Sequence, residues 1–450
     1  LPGAGAGEEY LLIPYSASTS GAANYFYTVT PGTTSVYPAP PAMSAGSAAG
    51  TVTFPMEFEL SIREQAIDYI QRHAGDVRPL ERAARATAAA PMRKFNVLKC
   101  ASCSTSNPAN YNQVTANLVY SGNNTLLYAD IDQPNGSFTQ TDYDELGLQF
   151  DTQTYDTTTH YFGSPSDIGD AGKVVILFTP QVNELTGDDT AHLGFISGFF
   201  LVNDLAPNFF PSTSNGTEMF YAMVPDPNNE RGNTFPKSLV KGLMPATLAH
   251  EFEHMISFGF RFVTAGSGTS FTFTQLTWLE EGMAHMCEDL NGFTTSNQNR
   301  VNWYLPDPGA VSLMGGDSLE QRGGIFLFLR YLGDQLGEDI FKPMTQSTCK
   351  GIPCVENATG TDYFTSVADY FATLFLDGAG VTLDPKYHYT SIVNLTLLAN
   401  AIESRSVSEG MFSSWVRGAG ADYYDMSGIQ TPATNFRVTG GVRVIVARTR

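Results

Sequence analysis

The segment "HEFEH", residues 250–254, limits the folds and chemistries open to this chain more than any other stretch. The apolar residues around it recur at the spacing of one helix face; they are Leu248, Ala249, Phe252, Met255 and Ile256. His250 and His254 then project from another face, one turn apart. Two imidazoles so placed are typical zinc ligands, and Glu251 beside the first is positioned to accept a proton from water. A chain with 7 histidines contains this pattern by chance roughly 0.005 times.

A catalytic zinc site uses three protein ligands, so a third is needed. One class carries a third histidine six residues after the second, but here Phe260 holds that position and Ser257 replaces the accompanying glycine. The next donors lie in "WLEEGMAHMCEDLNG", whose pattern predicts a second helix from about Trp278 to Leu290. They are Glu280, Glu281, His285 and Glu288.

Charge and hydropathy exclude several partners. The chain has 25 Lys and Arg against 45 Asp and Glu, a net charge of -20, which would repel nucleic acid and anionic lipid. Its longest apolar runs, such as "LGFISGFFLV" at 193–202, are too short to cross a bilayer. We therefore expect neither nucleic-acid binding nor membrane insertion, and the oligomeric state stays open.

Five cysteines bear on the cellular location. Cys100 with Cys103, and Cys349 with Cys354, form two close pairs in polar loop sequence, a pattern that favours local disulfides and an extracellular protein. A four-cysteine metal site is the rival interpretation, but the pairs lie far apart in the chain and their flanks carry no histidine. Cys287, in an apolar helical context, is interpreted as a buried free thiol.

Four segments follow from changes in pattern along the chain. Alternating residues at 9–37, and "TVTFPMEFEL" at 51–60, predict short antiparallel strands and thus a small all-β domain over 1–60. A helix from Ser61 to His73 and an Ala- and Arg-rich stretch at 81–94 predict a helical connector over 61–95. The main domain is placed at 96–400, and a C-terminal segment at 401–450 ends in a strand.

The main domain reads as an α+β fold, with a mixed sheet followed by a mainly helical second half. "VTANLVYSGNNTLLYADID" predicts a strand hairpin, and "KVVILFTP" and "MFYAMVP" predict buried strands. Pro245 suits the first turn of the helix that carries His250. "GGIFLFLRYLGDQLG" and "DYFATLFLDG" predict further apolar helices, and "RVTGGVRVIVAR" predicts terminal strand.

"HEFEH" followed by "WLEEGMAH" resembles the gluzincin metallopeptidases, whose third ligand is a glutamate on a second helix, in one branch within Trp-Leu-x-Glu-Gly. The resemblance implies that Glu281 is this ligand. Over about residues 115–340 the chain is similar to the hyicolysin family of secreted bacterial gluzincins, in "FGSPSDIGDAGKVVILFTPQVN", "EMFYAMVPDP", "LMPATLAHEFEHMI" and "GGIFLFLRYLGDQLG". This likeness implies a thermolysin-like catalytic domain, one zinc ion, Glu251 as general base, and endopeptidase activity on proteins or peptides.

Two positions depart from the resemblance. Thermolysin-like relatives carry an aspartate four residues after the glutamate ligand, where it braces a zinc histidine, but this chain has His285, which is able to donate to a carboxylate instead. A tyrosine expected before the glycine pair of "QRGGIFLF" is Arg322. The donor for the oxyanion is therefore open; the candidates are Arg322, Tyr304, Tyr331, Tyr387, His388 and Tyr389.

Calcium is a second metal hypothesis. Asp167 and Asp170 lie among glycines in "SDIGDAGK", and Asp130 and Asp132 lie near a turn, so oxygen ligands are available. The segment does not match the twelve-residue EF-hand loop, and a plain solvated turn is the other interpretation.

Two other functions compete with the endopeptidase. One is a catalytically silent adhesion or binding protein that keeps zinc for stability, although such structural sites usually have four protein ligands. The other is an aminopeptidase, although the Gly-x-Met-Glu-Asn segment of that gluzincin branch is missing from the sequence. The sequence also contains neither a Gly-x-Ser-x-Gly motif nor a phosphate-binding loop.

Overall fold

The structure is a computed structural model that describes residues 9–31, 52–75, 89–186, 194–269, 274–379, 384–391, 402, 404–406, 412–426 and 436–449. The predicted loop at 38–50, and residues 81–88 of the predicted connector, lie outside these ranges. Within them, no helix combines the length and the apolar character that spanning a bilayer requires.

The helices are α1 Phe54–His73, α2 Gln140–Gln149, α3 Tyr155–Phe162, α4 Pro180–Thr186, α5 Lys237–Gly259, α6 Thr277–Leu290, α7 Thr295–Tyr304, α8 Leu319–Leu336, α9 Phe341–Thr345, α10 Ile352–Thr359 and α11 Tyr363–Ala379. The strands are β1 Tyr10–Tyr15, β2 Asn24–Pro31, β3 Met92–Leu98, β4 Tyr111–Ser121, β5 Thr125–Asp130, β6 Val174–Phe178, β7 Gly198–Phe200, β8 Met219–Ala222, β9 Arg405–Ser406, β10 Phe412–Arg417, β11 Tyr424–Asp425, β12 Phe436–Gly440 and β13 Arg443–Arg448. Phe150–Thr154 and Phe260–Thr264 are π-helical turns.

The chain divides into two units. The central unit comprises residues 52–294 and 339–354, and the terminal unit comprises residues 1–51, 295–338 and 355–450. The combination of a sheet of parallel and antiparallel strands with many helices agrees with the expected α+β class. The domain boundaries given above stay predictions.

A six-stranded mixed sheet forms the frame of the central unit, in the order β3-β4-β5-β6-β8-β7. Strands β5, β6 and β8 run parallel, and the pairs on either side of them are antiparallel. Every residue of β6, "VVILF", is buried, as expected for a parallel strand covered on both faces. The predicted β4–β5 hairpin and the predicted strands β6 and β8 are confirmed. Helix α5, which carries "HEFEH", packs against β7 and β8 of this sheet.

The terminal unit contains a sheet in the order β13-β1-β11-β9 and another in the order β10-β2-β12. The N-terminal strands are antiparallel as predicted, but their partners come from the other end of the sequence: β1 pairs with β13, and β2 pairs with β10 and β12. The predicted helices α8 and α11 and the terminal strands are confirmed.

The prediction of a strand in "TVTFPMEFEL" is wrong. Helix α1 begins at Phe54, after an extended Thr53, and Pro55 lies in its first turn, where a missing N–H does no harm. The residues that α1 buries recur at helical spacing; they include Met56, Phe58, Ile62, Ala66 and Ile70. The helical pattern therefore extends further back than the strand-like composition of this stretch indicates.

The prediction that Pro245 lies in the first turn of α5 is wrong. The helix begins at Lys237, and Pro245 lies inside it. A proline inside a helix leaves one backbone hydrogen bond unmade and costs about 3 kcal/mol. Val240 and Met244 are buried on the preceding turns, and this burial stabilises the helix ahead of the proline.

The cysteines are arranged as the sequence indicates. The sulfurs of Cys100 and Cys103, and those of Cys349 and Cys354, lie at disulfide distance, which excludes the four-cysteine metal site. Cys287 is a buried free thiol on α6.

Candidate metal centre

Helices α5 and α6 pack against each other and carry the histidines and glutamates of the predicted site. His250 and His254 lie on successive turns of α5, with their Nε2 atoms 3.0 Å apart. Glu281 of α6 places Oε2 3.5 Å from Nε2 of His250 and Oε1 3.6 Å from Nε2 of His254. All three side chains are buried.

The spacing of these donors fits a zinc ion. Donors bound at about 2.05 Å around a tetrahedral ion lie about 3.3 Å from one another. Here the Nε2 atoms of His250 and His254 are 3.0 Å apart, and Oε2 of Glu281 is 3.5 Å from Nε2 of His250. Imidazole nitrogen and carboxylate oxygen are also the donors that catalytic zinc takes. The structure therefore brings together the three ligands expected from the sequence, and their role as ligands stays a proposal.

A hydrogen-bonded chain lies behind His250. Its Nδ1 atom is 2.8 Å from Oε1 of Glu288, and Nδ1 of His285 is 2.8 Å from the same oxygen. These distances are those of hydrogen bonds, shorter than the separation expected between two ligands of one zinc ion. Glu288 therefore lies behind His250 as a hydrogen-bond acceptor, and His285 does lie beside a carboxylate, as expected.

Two more carboxylates lie behind His254. Its Nδ1 atom is 3.6 Å from Oε2 of Glu253 and 3.6 Å from Oε1 of Glu280. Glu280 also accepts a hydrogen bond of 3.0 Å from the hydroxyl of Ser257. Since Glu280 faces Nδ1 and Glu281 faces Nε2, the two adjacent glutamates occupy different sides of the same imidazole.

Glu251 lies next to His250 and is 2% exposed. Its Oε2 atom accepts a hydrogen bond of 2.8 Å from the backbone N–H of Phe200 in β7. Burial raises the pKa of Glu251 to about 7. A carboxyl group with a pKa near neutrality is suited to take up a proton and release it again.

The electrostatic surroundings of the two imidazoles differ. Burial, together with the charge of Arg63, lowers the pKa of His254 to about 4, so this imidazole is neutral and able to bind metal. Burial also acts to lower the pKa of His250, but the carboxylates of Glu281 and Glu288 outweigh it and raise the pKa to about 10. An imidazole that attracts a proton so strongly reflects an excess of buried carboxylate charge, and a divalent ion would meet the same field.

Sequence reasoning missed two groups at this site. Arg63, assigned to the connector at 61–95, donates from Nη1 to Oε1 of Glu281. Its signal was an arginine on the apolar face of a helix, four residues after Glu59, where burial requires a counter-charge. The amide of Phe200 is a backbone group, and its position depends on how β7 pairs with β8. The residue pattern therefore does not predict this contact.

The oxyanion candidates all belong to the terminal unit. Both carboxylate oxygens of Asp317 accept from Arg322, at 2.7 Å from Nε and 3.0 Å from Nη2. The hydroxyls of Tyr331 and Tyr389 donate to backbone carbonyls, and Nδ1 of His388 lies 2.7 Å from Asp377. Tyr304 is fully buried, and Tyr387 ends a short helical turn. An oxyanion role for any of them stays a prediction.

Two of the four aspartates proposed for calcium, Asp130 and Asp170, have other partners. Asp170 pairs with Arg93 at 2.7 Å, and Asp130 accepts from the hydroxyl of Thr179 at 2.6 Å and from the backbone N–H of Asp132 at 3.0 Å. Among the described residues, each cluster of three metal-binding side chains includes His250 or His254. The calcium hypothesis, which includes Asp167, thus gains no support from the structure.

The donor set is one that could hold a metal ion, and a comparison with curated proteins finds similarity to a metalloprotease. The chain is 26% identical over 259 residues to a protein named neutral metalloprotease ShpI, of Staphylococcus hyicus. The similarity covers 55% of this chain and 54% of the relative, so the chain spans about half the length of the protein it matches. No protein-family model matches the chain.

Proposed function

We propose that this chain is a secreted zinc endopeptidase of the gluzincin class, close to the hyicolysin family, with a thermolysin-like catalytic domain. The meeting of His250, His254 and Glu281 at zinc spacing, with Glu251 beside them, is the observation that carries the proposal. The similarity to a named neutral metalloprotease supports the same class. The two disulfide pairs support an extracellular location.

Three protein ligands suit catalysis better than a closed structural site, which usually has four. Bound between His250, His254 and Glu281, zinc would polarise the scissile carbonyl of a protein or peptide and lower the pKa of a water molecule. Glu251 would accept the proton of the attacking water and deliver it to the leaving amine. Because the Phe200 amide holds Oε2, the proton would move through Oε1.

The groups behind the histidines orient the ligands. Glu288 would fix the ring of His250 and keep its proton on Nδ1, leaving Nε2 for the metal. His285 supports Glu288 from the same helix. This arrangement would replace the missing aspartate of thermolysin-like relatives with a glutamate one turn further along α6.

Glu251→Gln tests the general base. The substitution keeps the shape of the side chain and removes its ability to take a proton, so we expect unchanged folding and zinc content. Casein hydrolysis should fall by roughly 100-fold to 10,000-fold. Zinc content by elemental analysis and hydrolysis with and without chelator are the measurements. Full activity in the variant would refute the role given to Glu251.

Alanine substitutions test the choice of the third ligand. Glu281→Ala should lose zinc far more severely than Glu280→Ala, because Glu280 faces Nδ1 of His254 rather than Nε2. Glu288→Ala should lie between the two. Equal zinc content in all three variants would overturn the assignment.

The competing functions are outcomes of the same assays. Wild-type protein that holds zinc and cleaves neither casein nor gelatin would support the silent binding protein. Cleavage that fails only on peptides with a blocked amino terminus would indicate an aminopeptidase. Internal cleavage of such blocked peptides, abolished by chelator, is the result expected of the endopeptidase.

A further inference from the structure

Arg63 is a buried arginine of α1 that contacts the proposed metal site. Its residue is 6% exposed, and burial of a guanidinium is favourable only when carboxylates compensate its charge. Phe58, one turn earlier, packs edge-on against Phe199 of β7, with ring centroids 5.3 Å apart. This contact anchors α1 to the sheet of the central unit, and the next turn brings Arg63 to the site.

Arg63 meets two carboxylates. Its Nη1 donates to Oε1 of Glu281, and its Nη2 lies 3.9 Å from Oε2 of Glu59. Glu59 lies on the same helix and offsets the charge of Arg63. Glu281 is the closer of the two partners, so Arg63 holds its Oε1 atom, while its Oε2 atom faces Nε2 of His250.

The two oxygens of Glu281 are otherwise nearly equivalent for a metal ion. Oε2 lies 3.5 Å from Nε2 of His250 and Oε1 lies 3.6 Å from Nε2 of His254. A carboxylate placed so evenly is able to bind one ion through both oxygens, and that would fill the position a catalytic site keeps open. A guanidinium on Oε1 breaks this equivalence, because its planar set of donors holds a carboxylate in a fixed orientation.

We propose that Arg63 is a positioning residue for the metal centre, which holds Oε1 of Glu281 so that Glu281 offers only Oε2 to the ion. This inference rests on the proposed function, since it requires Glu281 to be a metal ligand. It also makes α1, which the sequence places outside the peptidase domain, part of the active site. A merely structural Arg63 would affect stability and leave the coordination of the metal unchanged.

The test compares Arg63→Met with Arg72→Met in the full chain loaded with Co²⁺. Arg72 lies on the same helix and pairs with Asp68, but the two side chains are 64% and 60% exposed, so Arg72→Met controls for loss of an arginine from α1. The visible absorption of bound Co²⁺ reports its coordination geometry, because four-coordinate sites absorb more strongly than five-coordinate ones. Circular dichroism confirms folding, and kcat and KM are measured on a peptide substrate at saturating metal.

We expect Arg63→Met to bind Co²⁺ with weaker absorption, as Glu281 becomes free to use both oxygens. Its kcat should fall roughly 10-fold to 100-fold with little change in KM. Arg63→Lys, which keeps the charge but not the planar set of donors, should recover part of both. Arg72→Met should match the wild type.

A wild-type spectrum and kcat in folded Arg63→Met would overturn the inference. If Arg63→Met does not fold, Arg63→Lys decides instead, since it keeps the buried charge and lacks the planar set of donors: a wild-type spectrum and kcat in Arg63→Lys would then overturn the inference. Wild-type protein that binds no Co²⁺ would instead contradict the proposed function, and the inference with it. The two failures are therefore distinguishable.

Discussion

Glu288 provides the most direct test of the groups behind the proposed metal ligands. It is 3% exposed, and its Oε1 atom lies 2.8 Å from Nδ1 of His250 and 2.8 Å from Nδ1 of His285. Glu288→Gln keeps the volume and one acceptor oxygen but removes the charge. Glu288→Ala removes the acceptor from both imidazoles.

The magnitudes follow from these contacts. A buried donor left without an acceptor costs about 1–3 kcal/mol, so the two imidazoles together cost about 2–6 kcal/mol in Glu288→Ala. Glu288→Gln exchanges charged hydrogen bonds for neutral ones and should cost about 1 kcal/mol. Loss of a group that orients a metal histidine lowers metal affinity by roughly 10-fold to 100-fold, or about 1.4–2.7 kcal/mol of binding free energy.

Two assays separate stability from affinity. Urea unfolding in the presence of chelator gives the free energy of unfolding without metal, and competition with a chromogenic chelator gives the zinc Kd. Glu184→Gln is the matched control: Glu184 pairs with Arg231 at 3.0 Å in the same unit, and the side chains are 35% and 32% exposed. Such a surface pair contributes less than about 1 kcal/mol.

The reasoning would fail if Glu288→Gln kept the wild-type zinc Kd, because Glu288 would then not orient His250. It would also fail if Glu184→Gln weakened zinc binding as much, since the effect would then be one of overall charge. A stability loss in Glu288→Ala without any change in Kd would assign Glu288 to packing alone.

Three further predictions concern metal, core and pH. Zinc at 1,000 times its Kd should add about 4.1 kcal/mol to the free energy of unfolding of the central unit. This corresponds to a rise in Tm of about 8–16 °C, measured by scanning calorimetry. A Tm that does not change when chelator is added would contradict this prediction. Phe252 is fully buried and stacks on Tyr155, with ring centroids 5.5 Å apart. Phe252→Ala should lower the free energy of unfolding by about 3–5 kcal/mol, and Phe252→Leu by much less, as measured by urea unfolding. Burial acts to raise the pKa of Asp142, but hydrogen bonds from Lys241, Thr139 and Lys237 outweigh it and lower the pKa. The ionised carboxylate should therefore contribute about 1–3 kcal/mol to the free energy of unfolding at neutral pH, and this contribution should be lost as the pH falls below about 4. Asp142→Asn should remove this difference between unfolding at pH 7 and at pH 3, and an unchanged pH dependence would count against the assignment.

Sequence reasoning works best where short-range periodicity determines the outcome. The spacing of His250 and His254 places both imidazoles on one helix face in any α-helix, whatever surrounds it. The β4–β5 hairpin and helices α6, α8 and α11 also formed where the patterns predicted them. The predictions at Pro245 and at "TVTFPMEFEL" were wrong, because burial of apolar residues outweighed the local preferences that mark a helix start or a strand.

The sequence alone determined that two imidazoles and a glutamate share one helix, and that a second helix carries several carboxylates. Only the tertiary structure decided which of those carboxylates faces Nε2 and which faces Nδ1, because a rotation of α6 by one residue would exchange Glu280 and Glu281. It also decided that Arg63, far away in the chain, reaches the site, and that the Phe200 amide holds Glu251. These pairings depend on how complete helices and strands pack together, and that packing depends on the sum of many weak contacts between distant segments rather than on any local pattern.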